Sequence, residues 1–161
     1  FDRHKALLDG GGGHAMAAGC HLPGANLEPL RAALVADASE RLSDEMRQPL
    51  LEIAAPLEAS RLELQFMTQL ERLAPFGQGN LAPTFALLGQ EVQSVRTMGR
   101  DSDHLRLSLA RCPDAIGWGM GERAETLLPG DRIDIAFRLE RNRYRGREQL
   151  QLLLQDLKPS E

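Results

Sequence analysis

Residues 75–83 read Pro75-Phe76-Gly77-Gln78-Gly79-Asn80-Leu81-Ala82-Pro83, and the apolar period differs on their two sides. Proline removes a backbone donor and fixes φ, while glycine and asparagine accept turn geometries that other residues avoid, so this stretch is a loop. Upstream, apolar residues recur at three- and four-residue intervals; downstream they alternate. A domain boundary is therefore expected here, with one domain over 1–74, a linker over 75–83 and a second domain over 84–161.

On the downstream side, Leu105, Leu107 and Leu109 alternate with Arg106 and Ser108, and Ile133, Ile135, Phe137 and Leu139 alternate with Asp134, Ala136 and Arg138. Leu150, Leu152 and Leu154 alternate with Gln149, Gln151 and Gln155, Leu153 being the exception. Successive side chains of a strand point to opposite faces, so this pattern marks strands with one buried side. Phe85–Val95 and Ala115–Trp118 add two more strands, and Trp118 is expected in the core. Gly121–Leu128 reads as one short helix between the third and fourth strands. Five strands with a helix after the third is the order of an OB-fold barrel, read over residues 84–157.

On the upstream side, residues 3–9 read as the end of a helix, which Gly10–Gly13 stop as a turn or close-approach loop. His14–Leu22 follows as a short extended segment, closed by Pro23 and Gly24. Asn26 suits an N-cap, with Glu28 and Pro29 in the first turn. Leu27, Leu30, Leu34, Ala38, Leu42 and Met46 predict a helix over about 27–47. Leu50–Ala55, between Pro49 and Pro56, reads as a strand. Ser60 and Glu63 have capping-box spacing ahead of a second helix carrying Leu62, Phe66, Leu70 and Leu73, which Pro75 ends. The fold class is α+β: part of an α/β domain followed by a five-stranded OB-fold β-barrel.

The 161 residues are 42% hydrophobic and 26% charged, which suits a packed core and excludes global disorder. No apolar run approaches the roughly 18 residues of a membrane span, and no signal-peptide pattern is present. The chain begins at Phe1 without an initiator Met, so a fragment or a processed product is expected. Cys20 and Cys112 sit in no metal-ligand pattern and read as free thiols in a reducing compartment, which points to the cytoplasm. The net charge of −4 gives no general nucleic-acid footprint. Its distribution says more: residues 1–80 hold 7 Lys+Arg against 11 Asp+Glu, while residues 81–161 hold 12 of each. Within that neutral half Arg138, Arg141, Arg143, Arg145 and Arg147 crowd together, so phosphate contacts should concentrate there.

Two segments carry chemistry. In Gly10-Gly11-Gly12-Gly13-His14, consecutive backbone N–H groups can converge on an anion, with His14 adding a donor; the same residues also suit a tight turn into a packed strand. The segment is not a Walker A loop, since no Gly-Lys-Ser/Thr follows. Arg141-Asn142-Arg143-Tyr144-Arg145-Gly146-Arg147 reads as the loop between the last two strands. There Arg141, Arg143, Arg145 and Arg147 can neutralise phosphates and Tyr144 can stack on a base; a solvated basic hairpin would have the same sequence. Asp101 and Asp103 beside His104 read as a solvated turn. No metal-ligand set, nucleophile elbow or paired-carboxylate motif is present, so no catalytic residue is assigned and the chain reads as a binding module.

Three segments together resemble the RecJ family. Gly12-Gly13-His14-Ala15-Met16-Ala17-Ala18-Gly19 is similar to the GGHxxAAG signature of the DHH-associated domain. Pro75-Phe76-Gly77-Gln78-Gly79-Asn80 is similar to the PFGxGN linker that follows it. The OB-like tail has Asn142, Tyr144 and Gly146 ahead of a Gln-Leu-rich last strand and Asp156. Two positions depart from the family: Gly11 stands where Phe is usual before GGH, and Leu81 where Pro is usual after Asn80.

The resemblance implies that residues 1–74 are the C-terminal part of a DHH-associated domain. It implies a parent enzyme that degrades single-stranded DNA from the 5′ end in repair and recombination. Two divalent metals, Mn2+ or Mg2+, would be held by Asp and His ligands in an N-terminal DHH domain that lies outside this sequence, and would activate a water for in-line attack on a phosphodiester. This fragment would bind no metal and would be inactive alone. Gly12, Gly13 and His14 would grip a DNA phosphate, and the OB fold would guide the strand. The expected partners are single-stranded DNA and other DNA-repair proteins, with no membrane. Two alternatives remain: a DHH-family phosphodiesterase acting on short oligonucleotides or cyclic dinucleotides, and a non-enzymatic single-strand-binding or protein-interaction module.

Overall fold

A computed structural model describes residues 1–144 and 146–160, with the backbone alone at 144 and 147. The chain divides into two compact units, Phe1–Leu51 and Glu52–Glu161. The division lies upstream of the 75–83 loop, because Leu62, Phe66 and Leu70 all pack on the barrel core and bring their segment into the second unit.

The first unit opens with a 3-10 helix, Asp2–Leu7, followed by β1 (Gly10–His14) and β2 (Ala17–His21). The four glycines are thus strand and not turn. They pair antiparallel with β2, Gly10 opposite His21 and His14 opposite Ala17. Glycine permits this because the two backbones approach closely: a Cβ on Gly13 would lie 2.5 Å from the Ala18 Cα. After a second 3-10 turn, Gly24–Asn26, comes α1 (Leu27–Arg41) and then the short α2 (Asp44–Arg47). The single helix expected over 27–47 breaks at Leu42, whose backbone is extended, and Ser43 caps the restart by accepting from the Met46 N–H. Asn26 does not cap α1 with its side chain; its Nδ2 donates to the Leu7 carbonyl at 3.0 Å and ties the first turn to the helix start. Leu30 is buried, while Leu27, Leu34 and Val35 on the same helix are exposed.

The second unit is built on a closed five-stranded barrel. β3 (Ala55–Pro56) adds a short parallel strand to β4 (Phe85–Met98), followed by β5 (His104–Leu109), β6 (Ala115–Gly117), β7 (Arg132–Tyr144) and β8 (Arg147–Pro159). The order is β3-β4-β5-β6-β8-β7, and the β4–β7 pairing closes the barrel. One half of β4 pairs with β7 and the other half with β5. A strand can serve two neighbours in this way because bulges bend it. One bulge lies between Leu87 and Gln90, where Gly89 has φ +62°. Asp134 pins it by accepting from the Gly89 N–H at 2.9 Å and the Ser160 hydroxyl at 2.8 Å. These two donors, the Gly89 N–H first, hold the Asp134 carboxyl below the usual aspartate range.

Alternation places the core. Leu105, Leu107, Leu109, Ile133, Ile135, Phe137, Leu152 and Leu154 all point inward and are buried. Each such side chain contributes about 1.5–3 kcal/mol relative to exposure. The β7–β8 register shifts between Ala136 and Phe137, which oppose Asp156 and Leu154. The extra residue, Gln155, inverts the parity of β8, so Leu157 is buried and Asp156 faces out. The expected helix over 121–128 is a 3-10 helix, Gly121–Thr126, in the expected place between β6 and β7.

Ahead of the barrel, α3 (Leu64–Glu71) packs Phe66 and Leu70 on the core, and Phe66, Phe85 and Phe137 form a tilted aromatic series with centroids 5.7 and 6.2 Å apart. The Ser60–Glu63 capping box does not form. Ser60 lies in a separate 3-10 turn and its hydroxyl donates to Glu58, while Glu63 precedes α3 without a side-chain cap. Leu50–Ala55 is not a strand; only Ala55–Pro56 pairs, and Leu50 is exposed. In the 75–83 loop Gly77 and Asn80 bridge, and the Asn80 side chain donates to the carbonyls of Leu73 and Pro75. Among the described residues no helix is long and apolar enough to cross a membrane.

Candidate nucleic-acid interface

A groove of about 780 Å³ runs along the outside of the barrel and is built wholly from the second unit. Arg106 of β5, Ile116 of β6, Asn142 and Arg143 of β7, and Gln149 and Gln151 of β8 line it. Trp118, just past β6, also lines it. Arg106 alternates with the buried Leu105 and Leu107, so its position on the outer face follows from the same period that fills the core.

Trp118 departs from expectation. It is 57% exposed and not in the core; β6 ends one residue earlier at Gly117, and the chain turns at Gly119, which has φ +69°. Ala115 and Gly117 lie opposite the buried Leu107 and Leu105, so strand parity puts Ile116 and Trp118 on the outer face with Arg106. The signal lies in the phase of the alternation, with the small Ala115 and Gly117 on one face and the larger Ile116 and Trp118 on the other. The indole packs edge-to-face with His104, centroids 4.6 Å apart at 82°.

The hairpin arginines are not equivalent. β7 continues to Tyr144, so Arg141 and Arg143 belong to a strand and not to a loop. Arg141 is 17% exposed. It donates to both Glu71 oxygens at 2.9 Å, to Glu148 at 2.7 Å and to the Thr68 hydroxyl at 3.2 Å. The pairing with Glu71 and then Glu148 raises its pKa further, so its charge is committed within the molecule. Arg141 is therefore a strut between α3 and the hairpin, with its guanidinium engaged by Glu71, Glu148 and Thr68. Arg143 is 72% exposed and shares Glu148 at 2.8 Å. Arg145 and the side chains of Tyr144 and Arg147 lie outside the described residues.

Arg106 pairs with Asp114, and Glu140 also lines the groove, so positive charge there is largely matched. Asn142 donates to Gln151 at 3.0 Å, which sets a pair of side-chain amides across β7 and β8. Among the described residues the surface thus offers one flat aromatic, several amides and two exposed guanidiniums, Arg106 and Arg143, each beside a carboxylate. Such a surface stacks on and hydrogen-bonds to an unpaired base more readily than it clamps a string of phosphates.

The other expected site lies in the first unit. Gly12, Gly13 and His14 border a cavity of about 440 Å³ with Phe1, Lys5 and Asp9. None of Gly10–Gly13 has positive φ, so their N–H groups alternate along a strand and do not converge as an anion nest. His14 Nδ1 accepts from the Met16 N–H at 3.3 Å, which leaves Nε2 as the outward donor. Lys5 is paired with Asp2 at 3.0 Å. Among the described residues no group of three or more His, Cys, Asp and Glu side chains is arranged to hold a metal ion. Cys20 and Cys112 are both free thiols, and burial raises the pKa of Cys112.

Residues 53–156 match the family model described as the RecJ OB domain. The chain is 28% identical over 160 residues to the single-stranded-DNA-specific exonuclease RecJ of Bacillus subtilis (strain 168), covering 98% of this chain and 20% of that protein. It is 25% identical over 163 residues to the protein of the same name from Haemophilus influenzae, covering 98% and 28% respectively. Among solved structures, RecJ in complex with Mn2+ from Thermus thermophilus superposes with a TM-score of 0.76 at 26% identity, over 98% of this chain and 23% of that one. The chain thus spans between a fifth and just over a quarter of the length of these relatives.

Proposed function

From the premise that the chain belongs to the RecJ OB-domain family, we propose that it is the DNA-gripping region of a RecJ-like exonuclease that hydrolyses single-stranded DNA from its 5′ end. DNA repair and recombination in the cytoplasm are the setting of this reading. The observation that carries it is the groove beside Trp118, where an exposed indole, side-chain amides and Arg143 share one barrel face. OB folds bind oligonucleotides on this kind of face and through the loop between their last two strands. A base stacked on Trp118 would place its sugar-phosphate toward Arg143, and the Asn142, Gln149 and Gln151 amides would meet base edges.

Selection for the single strand follows from this chemistry. In a duplex the bases are already stacked on one another, so no face is open to an indole without unpairing. His14 Nε2 is assigned a phosphate contact in the first unit, supported by the outward donor that its bond to Met16 leaves. The hydrolysis of this reading uses a divalent ion, supported by the Mn2+ of the similar RecJ structure from Thermus thermophilus. The chemistry on the strand is addition of water across a phosphodiester P–O bond; the side chains here hold and orient the strand for it.

The test is the affinity of this chain and its Trp118→Ala variant for a fluorescent single-stranded oligonucleotide. Loss of one stacked base should cost about 1–3 kcal/mol, roughly 5- to 150-fold in Kd. Equal affinity of variant and parent would remove the groove from the path of the DNA.

A further inference from the structure

Trp118 does not stand alone on the surface; a single neighbour touches both its ring and the backbone that carries it. His104, the first residue of β5, meets the indole edge-to-face at 4.6 Å. Its Nδ1 accepts the Gly119 N–H at 3.1 Å, from the residue that follows Trp118. Gly119 has φ +69°, so the turn that follows Trp118 has a conformation that a side chain would strain. The Gly121 N–H donates to the Asp103 carbonyl at 3.0 Å. A Cβ on Gly121 would lie 2.1 Å from the Ser102 carbonyl oxygen, so the turn over 118–121 and the loop over 99–103 are in backbone contact. His104 sits where these two segments meet. Asp103 Oδ1 lies 3.6 Å from its Nδ1, the nitrogen already occupied by the Gly119 N–H.

We infer that His104 is a positioning residue for Trp118: by holding the Gly119 N–H and the indole edge together it fixes the ring in one orientation over the groove. A freely rotating indole would have to lose its rotamer freedom when a base stacks on it; an indole already held does not. The consequence for binding rests on the reading of the groove given above, but the positioning itself can be measured without DNA. Trp118 is the sole tryptophan, so emission excited at the red edge of the indole band, beyond tyrosine absorption, reports on it alone.

Three variants separate the two contacts. His104→Asn keeps an acceptor near the place of Nδ1 and loses the ring. His104→Phe keeps a ring edge and loses the acceptor. His104→Ala loses both. In the free chain, emission anisotropy should fall and acrylamide quenching should rise most in His104→Ala, with the Asn and Phe variants lying between it and the parent. A substitution that merely loosened the barrel would shift the Tm of all three without this ordering. The inference is overturned if the Asn and Ala variants, both folded by circular dichroism, keep the anisotropy and quenching of the parent. If His104→Ala will not fold, the Asn and Phe variants decide, and parental emission in both overturns it. A loosened Trp118 with unchanged oligonucleotide affinity would uphold the positioning role and overturn the groove reading, so the two fail separately.

Discussion

Arg141 and Glu71 stand 70 residues apart in sequence and form a two-pronged ion pair, Nε and Nη2 to the two carboxylate oxygens at 2.9 Å each. This pair fixes α3 against the β7–β8 hairpin and so holds the wall that carries Leu62 and Leu64 beside the groove. The planar guanidinium suits a bidentate partner in a way that lysine does not. Arg141→Met and Arg141→Lys should both lower the Tm, and Arg141→Met combined with Glu71→Gln should cost less than the sum of the two single changes. Arg143→Met should leave the Tm nearly unchanged. Differential scanning calorimetry on these variants checks this, and strictly additive losses would show that the pair is not coupled.

Glu148 bonds both arginines, at 2.7 Å to Arg141 and 2.8 Å to Arg143. Arg141 first, and then Arg143, hold its carboxyl below the ordinary value of 4.5. A carboxylate with a depressed folded pKa stabilises the fold above its unfolded pKa, and that stability is lost as pH falls through the folded one. Glu148→Gln should therefore be less stable than the parent at about pH 7, and the gap should close as pH drops below the ordinary glutamate range. Urea melts across that range measure it; a gap independent of pH would contradict the pairing.

In the proposed reading the same carboxylate would compete with DNA for Arg143. Glu148→Gln should bind single-stranded oligonucleotide more tightly than the parent and show a salt slope steeper by about one, while Arg143→Gln should bind more weakly with a slope shallower by about one. Affinity and stability thus move in opposite directions in Glu148→Gln. Oligonucleotide titrations across a salt series would expose the error if both variants weakened binding alike.

In the glycine strand the consequences alternate. A Cβ on Gly13 would meet the Ala18 Cα at 2.5 Å, whereas a Cβ on Gly12 meets nothing within 4 Å. Gly13→Ala should disrupt the β1–β2 pairing, and Gly12→Ala should leave it intact. Amide hydrogen exchange over residues 10–21 distinguishes them, with fast exchange expected in the Gly13 variant only.

Much of the barrel is legible in the sequence because its signal is local. The alternation of Leu105, Leu107 and Leu109 and of Ile133, Ile135 and Phe137 names the buried faces directly. Bulges are not legible: nothing in Gln155 itself announces the parity change that buries Leu157 and exposes Asp156. The glycine run misleads for a related reason. Glycine serves turns and close backbone contacts alike, and only the small residues of the facing strand, Ala17, Ala18 and Gly19, decide for the strand. At the site, composition points to the arginine-rich hairpin but does not sort its members, since the partner that neutralises Arg141 lies on α3. A buried Trp118 follows only if Ile116 and Trp118 are taken as the inward face of β6, whereas Ala115 and Gly117 are the residues opposite the buried Leu107 and Leu105.

The central claim is that this barrel face takes an unpaired base onto Trp118. It is tested most directly by titrating the chain with a single-stranded oligonucleotide and with the matching duplex while following tryptophan emission. The account predicts a saturable emission change with the single strand that persists as salt is raised, and little change with the duplex. Equal responses to both, or single-strand binding that leaves the emission of Trp118 untouched, would contradict it.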